Sequence, residues 1–297
     1  MAGEVEEWIR GDETALKMLT RVQRERPLLL LPPLHKVPLR LGNIVEIAGP
    51  SPSSKTQILL QAAINCILPK EWKGVSYGGL GHLVIFFDLD CRFDVLRLSQ
   101  LLKYQIMKAN GLRNVKEEDP ISSSKMNDKE LFDSCMRRFL YMRCYSSSEF
   151  LASLKTVQYQ VQKERDKHGH DVKFLMIDSI GAFYWIDRAS TSLPVIDINR
   201  KRRSLQTVSE SIVQEIRKLL VVNPMLVLAT KTTSLGYRET MPSIWQSFVT
   251  HRVFVRDSDH VSNSRNCRSY RLEWLLPAVS SSTVEFLVTD AGIVVIS

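Results

Sequence analysis

From residue 39 onward, apolar residues come in short runs separated by longer amphipathic stretches. Residues 44–48 form a β-like run, and residues 56–67 carry helical spacing that ends near Pro69. Residues 71–81 read as a Gly-rich loop. Residues 83–87 are apolar at every position, as in a parallel strand buried on both faces. Residues 93–109 read as a helix, and the polar, Ser-rich and charged segment 110–129 as a mobile loop. A strand follows at 139–144. Ser146 and Glu149 then form a capping-box pattern for a helix to about residue 166. A polar connection, 166–172, leads to a strand at 174–177. A helix over 204–221 and a strand over 225–229 complete the alternation. After Trp245 the helical pattern stops, and strands are expected at 253–255, 270–274, 284–288 and 293–296, with a turn at Asp290-Ala291-Gly292.

Strands alternating with helices, then a run of strands, predict an α/β fold. The central sheet should be mostly parallel with helices on both faces, and an antiparallel extension should follow near the C-terminus. We place this core at residues 39–297. Residues 1–38 read as a helical arm and a Pro/Leu linker. In the arm Trp8, Ala15, Leu16, Leu19 and Val22 recur about every three or four residues, and Pro27 ends the pattern. The run Leu28 to Leu31, with Pro32 and Pro33, fits two readings. It is a linker tucked along the core, or an edge strand that docks on a partner's sheet through Leu29, Leu30 and Leu31.

Composition narrows the class. Hydrophobic residues make up 44% of the 297, mean hydropathy is -0.10, and no apolar run reaches the roughly 18 residues of a membrane helix. No membrane association is expected, and the acidic N-terminus lacks the apolar stretch of a secretory signal. Five cysteines without a C-x-x-C pair predict reduced thiols in a cytosolic or nuclear protein, without a structural zinc site. A net charge of +8 fits a polyanionic partner.

The most informative segment is Gly49-Pro50-Ser51-Pro52-Ser53-Ser54-Lys55-Thr56, which follows a strand and opens a helix. It matches the phosphate-binding loop G-x-x-x-x-G-K-[ST] except that Ser54 stands at the second glycine. Backbone N–H groups and the helix N-terminus would hold the phosphates of ATP. Lys55 would pair with the β- and γ-phosphates, and the Thr56 hydroxyl would bind Mg²⁺. Ser54 brings a Cβ to a position that favours left-handed dihedrals, and Pro50 and Pro52 remove two backbone donors. Asp178, after the apolar run 174–177 and about 120 residues downstream, is the candidate second Mg²⁺ group. Asp90 is a candidate general base for water attack on the γ-phosphate, whereas Asp88 reads as a strand-end cap.

Together the phosphate loop, Phe86-Phe87-Asp88-Leu89-Asp90-Cys91-Arg92-Phe93, Leu175-Met176-Ile177-Asp178-Ser179-Ile180 and the run Phe183 to Arg188 resemble the RecA-like recombinases, in particular the short eukaryotic recombinase paralogues. The resemblance covers about residues 39 to 297. It implies a RecA-like P-loop ATPase core and a role in homologous recombination repair of double-strand breaks and crosslinks. It also implies heteromeric complexes with other recombinase paralogues, action on single-stranded or branched DNA, and a nuclear location. Asp90 falls where active members use a longer Glu. Residues 229–232 fall where they carry a sensing Gln, with Lys231 or Thr232 standing instead. With Ser54, these departures imply slow or absent ATP hydrolysis. The basic run Arg200-Lys201-Arg202-Arg203 falls where recombinases place a DNA-contacting loop; an import signal or a solvated loop fits the same residues. Tyr184 and Trp185 would stack on bases or sit in a partner interface, and the interface reading is favoured. Two rivals stand: a nucleotide-free scaffold bridging other paralogues, and a small-molecule P-loop kinase, which would need an arginine-bearing lid that the sequence does not suggest.

Overall fold

The computed structural model describes residues 18, 27–28, 32–111, 121–168, 171–192, 205–233, 241–258, 268–278 and 283–296. The chain runs through β1 (Ile44–Gly49), α1 (Lys55–Ile67), β2 (Glu71–Trp72), β3 (Val75–Ser76), β4 (Leu83–Asp88), α2 (Val95–Gly111), α3 (Ile121–Arg137) and β5 (Phe139–Arg143). It continues through α4 (Ser147–His168), β6 (Val172–Asp178), α5 (Tyr184–Ser192), α6 (Leu205–Val222), β7 (Leu226–Thr232) and α7 (Ser243–Phe248). Four strands close it: β8 (His251–Asp257), β9 (Arg268–Leu276), β10 (Val284–Thr289) and β11 (Gly292–Ile296).

The nine-stranded sheet has the order β11-β10-β9-β8-β1-β7-β6-β4-β5. From β8 to β5 neighbouring strands are parallel, and from β8 to β11 they are antiparallel. The expected α/β fold with a mostly parallel sheet and an antiparallel extension is therefore present, and β8 still runs parallel to β1.

Side chains alternate along each central strand, so the apolar runs feed two cores. Val45, Ile47, Val84, Phe86, Phe174, Met176, Leu226 and Leu228 pack with residues of α1, α2 and α3. Ile44, Ile85, Phe87, Leu175, Ile177, Val227 and Ala229 pack on the other face with residues of α4, α6 and α7. The linker's described residues join the first core: Leu34 and Val37 are buried there, Leu28 packs against it, and Leu28 N–H bonds the Leu39 carbonyl at 2.7 Å. Leu29, Leu30 and Leu31 lie outside the described residues, as does the arm apart from Met18.

Three expectations need correction. The loop read over 110–129 is helical from Ile121 onward. That helix is set by residues beyond the polar segment: Leu131 and Cys135, one turn apart, are buried, and Phe132 and Met136 pack beside them. Asn110 Nδ2 donates to Asp128 Oδ1 at 2.6 Å and ties the polar half to α2. Within 71–81, β2 and β3 pair as a hairpin whose turn residues Lys73 and Gly74 take φ of 48° and 79°. The helices also extend past Trp245, because Trp245 and Phe248 bury one face of α7. The Ser146 half of the capping box is formed, with Glu149 N–H on Ser146 Oγ at 3.2 Å, while the Glu149 carboxylate reaches one residue further back and accepts from Tyr145 N–H at 2.8 Å.

Candidate nucleotide site

The carboxyl ends of β1, β4, β6 and β7 converge. The chain leaving β1 crosses both β7 and β6 before it re-enters the sheet as β4, which opens a crevice at a topological switch point. Gly49 ends β1 under a tight constraint. A Cβ there would lie 2.2 Å from the Val255 carbonyl oxygen of β8, so no other residue fits without moving a strand.

Ser54, the residue in place of glycine, takes φ 58° and ψ 14°. The loop thus keeps the left-handed turn and accepts the Cβ, a strain of about 1–2 kcal/mol for an L-residue. Helix α1 then starts with no side-chain cap and no acid in its first turn. Its first N–H groups and its dipole therefore remain suited to an anion.

The Lys55 side chain folds back into this loop. Its ammonium donates to the Gly49 carbonyl at 3.0 Å, the Pro50 carbonyl at 2.7 Å and Ser53 Oγ at 2.9 Å. Burial lowers its pKa to about 8, against the pull of the Asp178 and Asp90 carboxylates, while Arg92 adds to the lowering. Thr56 Oγ1 donates to Asp178 Oδ2 at 2.6 Å, which brings the two candidate Mg²⁺ groups together across 122 residues of sequence. Thr230 Oγ1, buried in β7, donates to the other Asp178 oxygen. Burial raises the Asp178 pKa, the two threonine hydroxyls oppose that rise, and Asp88 adds repulsion.

Asp88 and Asp178 are register partners on β4 and β6. Asp88 is fully buried and accepts from Tyr141 Oη at 2.7 Å, Arg143 Nε at 3.3 Å and the backbone N–H groups of Arg92 at 3.2 Å and Phe93 at 3.4 Å. It holds the turn that follows β4, so its role is structural. Asp90 sits on that turn with Oδ1 buried and without a hydrogen-bond partner among the described residues, and Oδ2 pairs with Arg92 Nε at 4.0 Å. Burial, then the nearby Asp178 and Asp88, raise its carboxyl to about 6. That value suits a base that is ionised near neutral pH.

Tyr184 and Trp185 open α5. They pack edge to face at 5.1 Å, Trp185 is 51% exposed, and the Arg188 guanidinium lies 5.6 Å over its ring. Arg200, Lys201, Arg202 and Arg203 lie outside the described residues. Sequence reasoning passed over Thr230 and named its neighbours Lys231 and Thr232. A hydroxyl residue at the carboxyl end of an otherwise apolar buried strand was the signal. It also missed Glu46, buried in the middle of β1, where it accepts from Trp245 Nε1 and Arg252 Nε, both at 2.7 Å.

The sheet order, with a phosphate-loop turn after β1 and an acid at the end of β6, defines a RecA-like core. No family model matches the chain. A DNA repair protein XRCC2 homolog of Arabidopsis thaliana is 50% identical over 97% of this chain and 89% of its own length. The DNA repair protein XRCC2 of Mus musculus is 28% identical over 82% of this chain and 85% of its own length. A DNA repair and recombination protein RadA of Methanocorpusculum labreanum is 24% identical over 84% of this chain and 71% of its own length. The chain belongs to the XRCC2 family of DNA repair proteins, the short recombinase paralogues, in its plant-like form. Its function is that of a recombinase paralogue in DNA repair by homologous recombination. Among the described residues no helix is long and apolar enough to cross a membrane.

Proposed function

We propose that the chain is a mediator subunit of homologous recombination that binds ATP and Mg²⁺ at the phosphate loop and hydrolyses ATP slowly or not at all. The observation that carries this reading is the loop itself: Ser54 holds the left-handed turn of a glycine, and Thr56 meets Asp178 at 2.6 Å. The residues fit a phosphate chain. The uncapped start of α1 supplies N–H donors, and the Lys55 ammonium is already inside the loop, held by three oxygens that phosphate oxygens would replace. Thr56 and Asp178 would hold Mg²⁺, which when bound would neutralise the charge between the β- and γ-phosphates. Asp90 would accept a proton from water, but its side chain is one methylene shorter than Glu. The Thr230 hydroxyl is committed to Asp178, and Thr232 is exposed. Lys231 and Thr232 stand where the resemblance places a sensing Gln, and neither is an amide, which favours slow turnover.

In this reading the subunit works in the nucleus within a heteromeric complex of recombinase paralogues, on single-stranded or branched DNA at double-strand breaks and crosslinks. Arg200, Lys201, Arg202 and Arg203 are the proposed DNA contacts. Leu29, Leu30, Leu31, Tyr184 and Trp185 are the proposed partner contacts. The arm and linker, 1–38, serve the core, 39–297, as a docking element. A second reading, a nucleotide-free scaffold, draws on the same loop: Lys55 already donates to three loop oxygens, and Thr56 already donates to Asp178.

The two separate in one experiment. ATP affinity and turnover are measured for the purified chain, alone and with a recombinase paralogue, against Lys55→Ala. Binding lost in Lys55→Ala, with turnover absent alone and slow in the complex, is the expected result. No binding by either form in either setting makes the scaffold the function.

A further inference from the structure

Helix α4 carries Lys155, Tyr159 and Lys163 at intervals of four residues, one stripe about 12 Å long. Both lysines are exposed and Tyr159 is 86% exposed. Among the described residues none of these three side chains has an ion pair or hydrogen bond. With Gln158, Val222 and Asn223 they line a groove of about 720 Å³ between α4 and the end of α6. Val221 and Val222 are exposed beside it. A basic, aromatic, basic stripe of this kind calls for an acidic occupant with an aromatic or apolar centre.

The chain contains one. Glu4, Trp8 and Asp12 repeat the same four-residue interval as acid, aromatic, acid. Residues 1–16 hold five acids and one base, a net of -4 on a chain whose overall charge is +8. Residues 1–17 lie outside the described residues, and their tether leaves the core at Leu28, on the sheet face opposite α4 and α6. Leu28 N–H bonds the Leu39 carbonyl, and Gly42 N–H bonds the Met225 carbonyl at 2.8 Å. Met225 is two residues past Asn223, which lines the groove. From Asp12 to Pro27 the chain spans roughly 22 Å as a helix and up to about 50 Å extended, and the segment must pass around the sheet to reach the groove.

We propose that the Glu4, Trp8, Asp12 segment docks on the Lys155, Tyr159, Lys163 stripe of its own chain, with Trp8 against Tyr159 and the acids against the lysines. Two exposed ion pairs alone bind weakly, so the ring contact and the short tether decide the partner. High salt weakens the docking.

Zero-length carbodiimide cross-linking of the full chain at about 1 µM, mapped by mass spectrometry, tests this. The expected products join Lys155 or Lys163 to Glu4 or Asp12 within the monomer. Lys155→Glu with Lys163→Glu should cut their yield at least five-fold, and adding Glu4→Lys with Asp12→Lys should restore it. Trp8→Ala, which leaves every charge in place, should lower the yield too. Circular dichroism of each variant establishes that it is folded. Three results overturn the proposal: cross-links confined to dimers, which assign the groove to a second copy; cross-links spread evenly over other surface lysines; or photo-cross-linking of Tyr159 to a single-stranded oligonucleotide with no product from residues 4–12, which assigns the groove to nucleic acid.

Discussion

Asp90→Asn isolates the electrostatics of the crevice. Asp90 lies near two other carboxylates, Asp178 and Asp88, and its pKa rises from 3.8 to about 6. In the unfolded chain it titrates at its ordinary value. The neutral acid is therefore the form that folding prefers. Its contribution to stability is complete below about pH 4 and is lost as pH rises through about 6. Each pH unit of displacement is worth about 1.4 kcal/mol. The side chain is 26% exposed, which leaves some solvation, so the ionised carboxylate opposes folding near neutrality by on the order of 2 kcal/mol. Asn keeps the shape and carries no charge. Urea unfolding at pH 7.5 should find Asp90→Asn more stable by about 2 kcal/mol, with an unchanged slope. At pH 4 most of that gain should vanish. An equal gain at both pH values would refute the reasoning, because it would then come from packing or hydrogen bonding. A loss at pH 7.5 would refute it more directly, since Arg92 would then have to outweigh burial and the two neighbouring carboxylates.

Two further outcomes follow from the same crevice and from the strand beside it. Ser54→Gly relieves the left-handed strain but adds backbone entropy, so thermal denaturation should show a net gain of about 0.5–1 kcal/mol. A loss would mean that the Ser54 side chain contributes more than its backbone strain takes away. Glu46→Ala strands a buried indole N–H and leaves Arg252 without its carboxylate, so chemical denaturation should show a loss of about 2–4 kcal/mol, while Glu46→Gln, which can still accept from Trp245, loses less.

How far the chain could be read in advance depended on which residues carried the pattern. Strands β4, β6 and β7 each hold an unbroken run of four or five apolar residues because both faces are covered, and that run betrays them. Helix α3 was missed because its first turns are polar and its packing residues, Leu131 and Cys135, lie beyond the segment that looked like a loop. The β2–β3 hairpin has two residues per strand, too few for alternation to register. In the crevice, Lys55, Thr56 and Asp178 were legible because the strand-turn-helix context and the spacing both constrain them. Thr230 and Tyr141 were not, since each hydroxyl donates to an acid that is distant in sequence. The separation of Asp88 from Asp90 needed coordinates as well: two carboxylates two residues apart differ in role because one points into four donors and the other is left with an empty oxygen.

The placement of β1 between β7 and β8 has a genetic consequence. A premature stop between Thr232 and His251 would not trim a tail. It would strip one side of the strand that carries the phosphate loop and turn the middle of the sheet into an open edge of Ile44, Val45, Ile47 and Ala48. Such an edge recruits other chains. Alleles truncated there should behave as insoluble nulls, even with every residue of the phosphate loop and Asp178 intact.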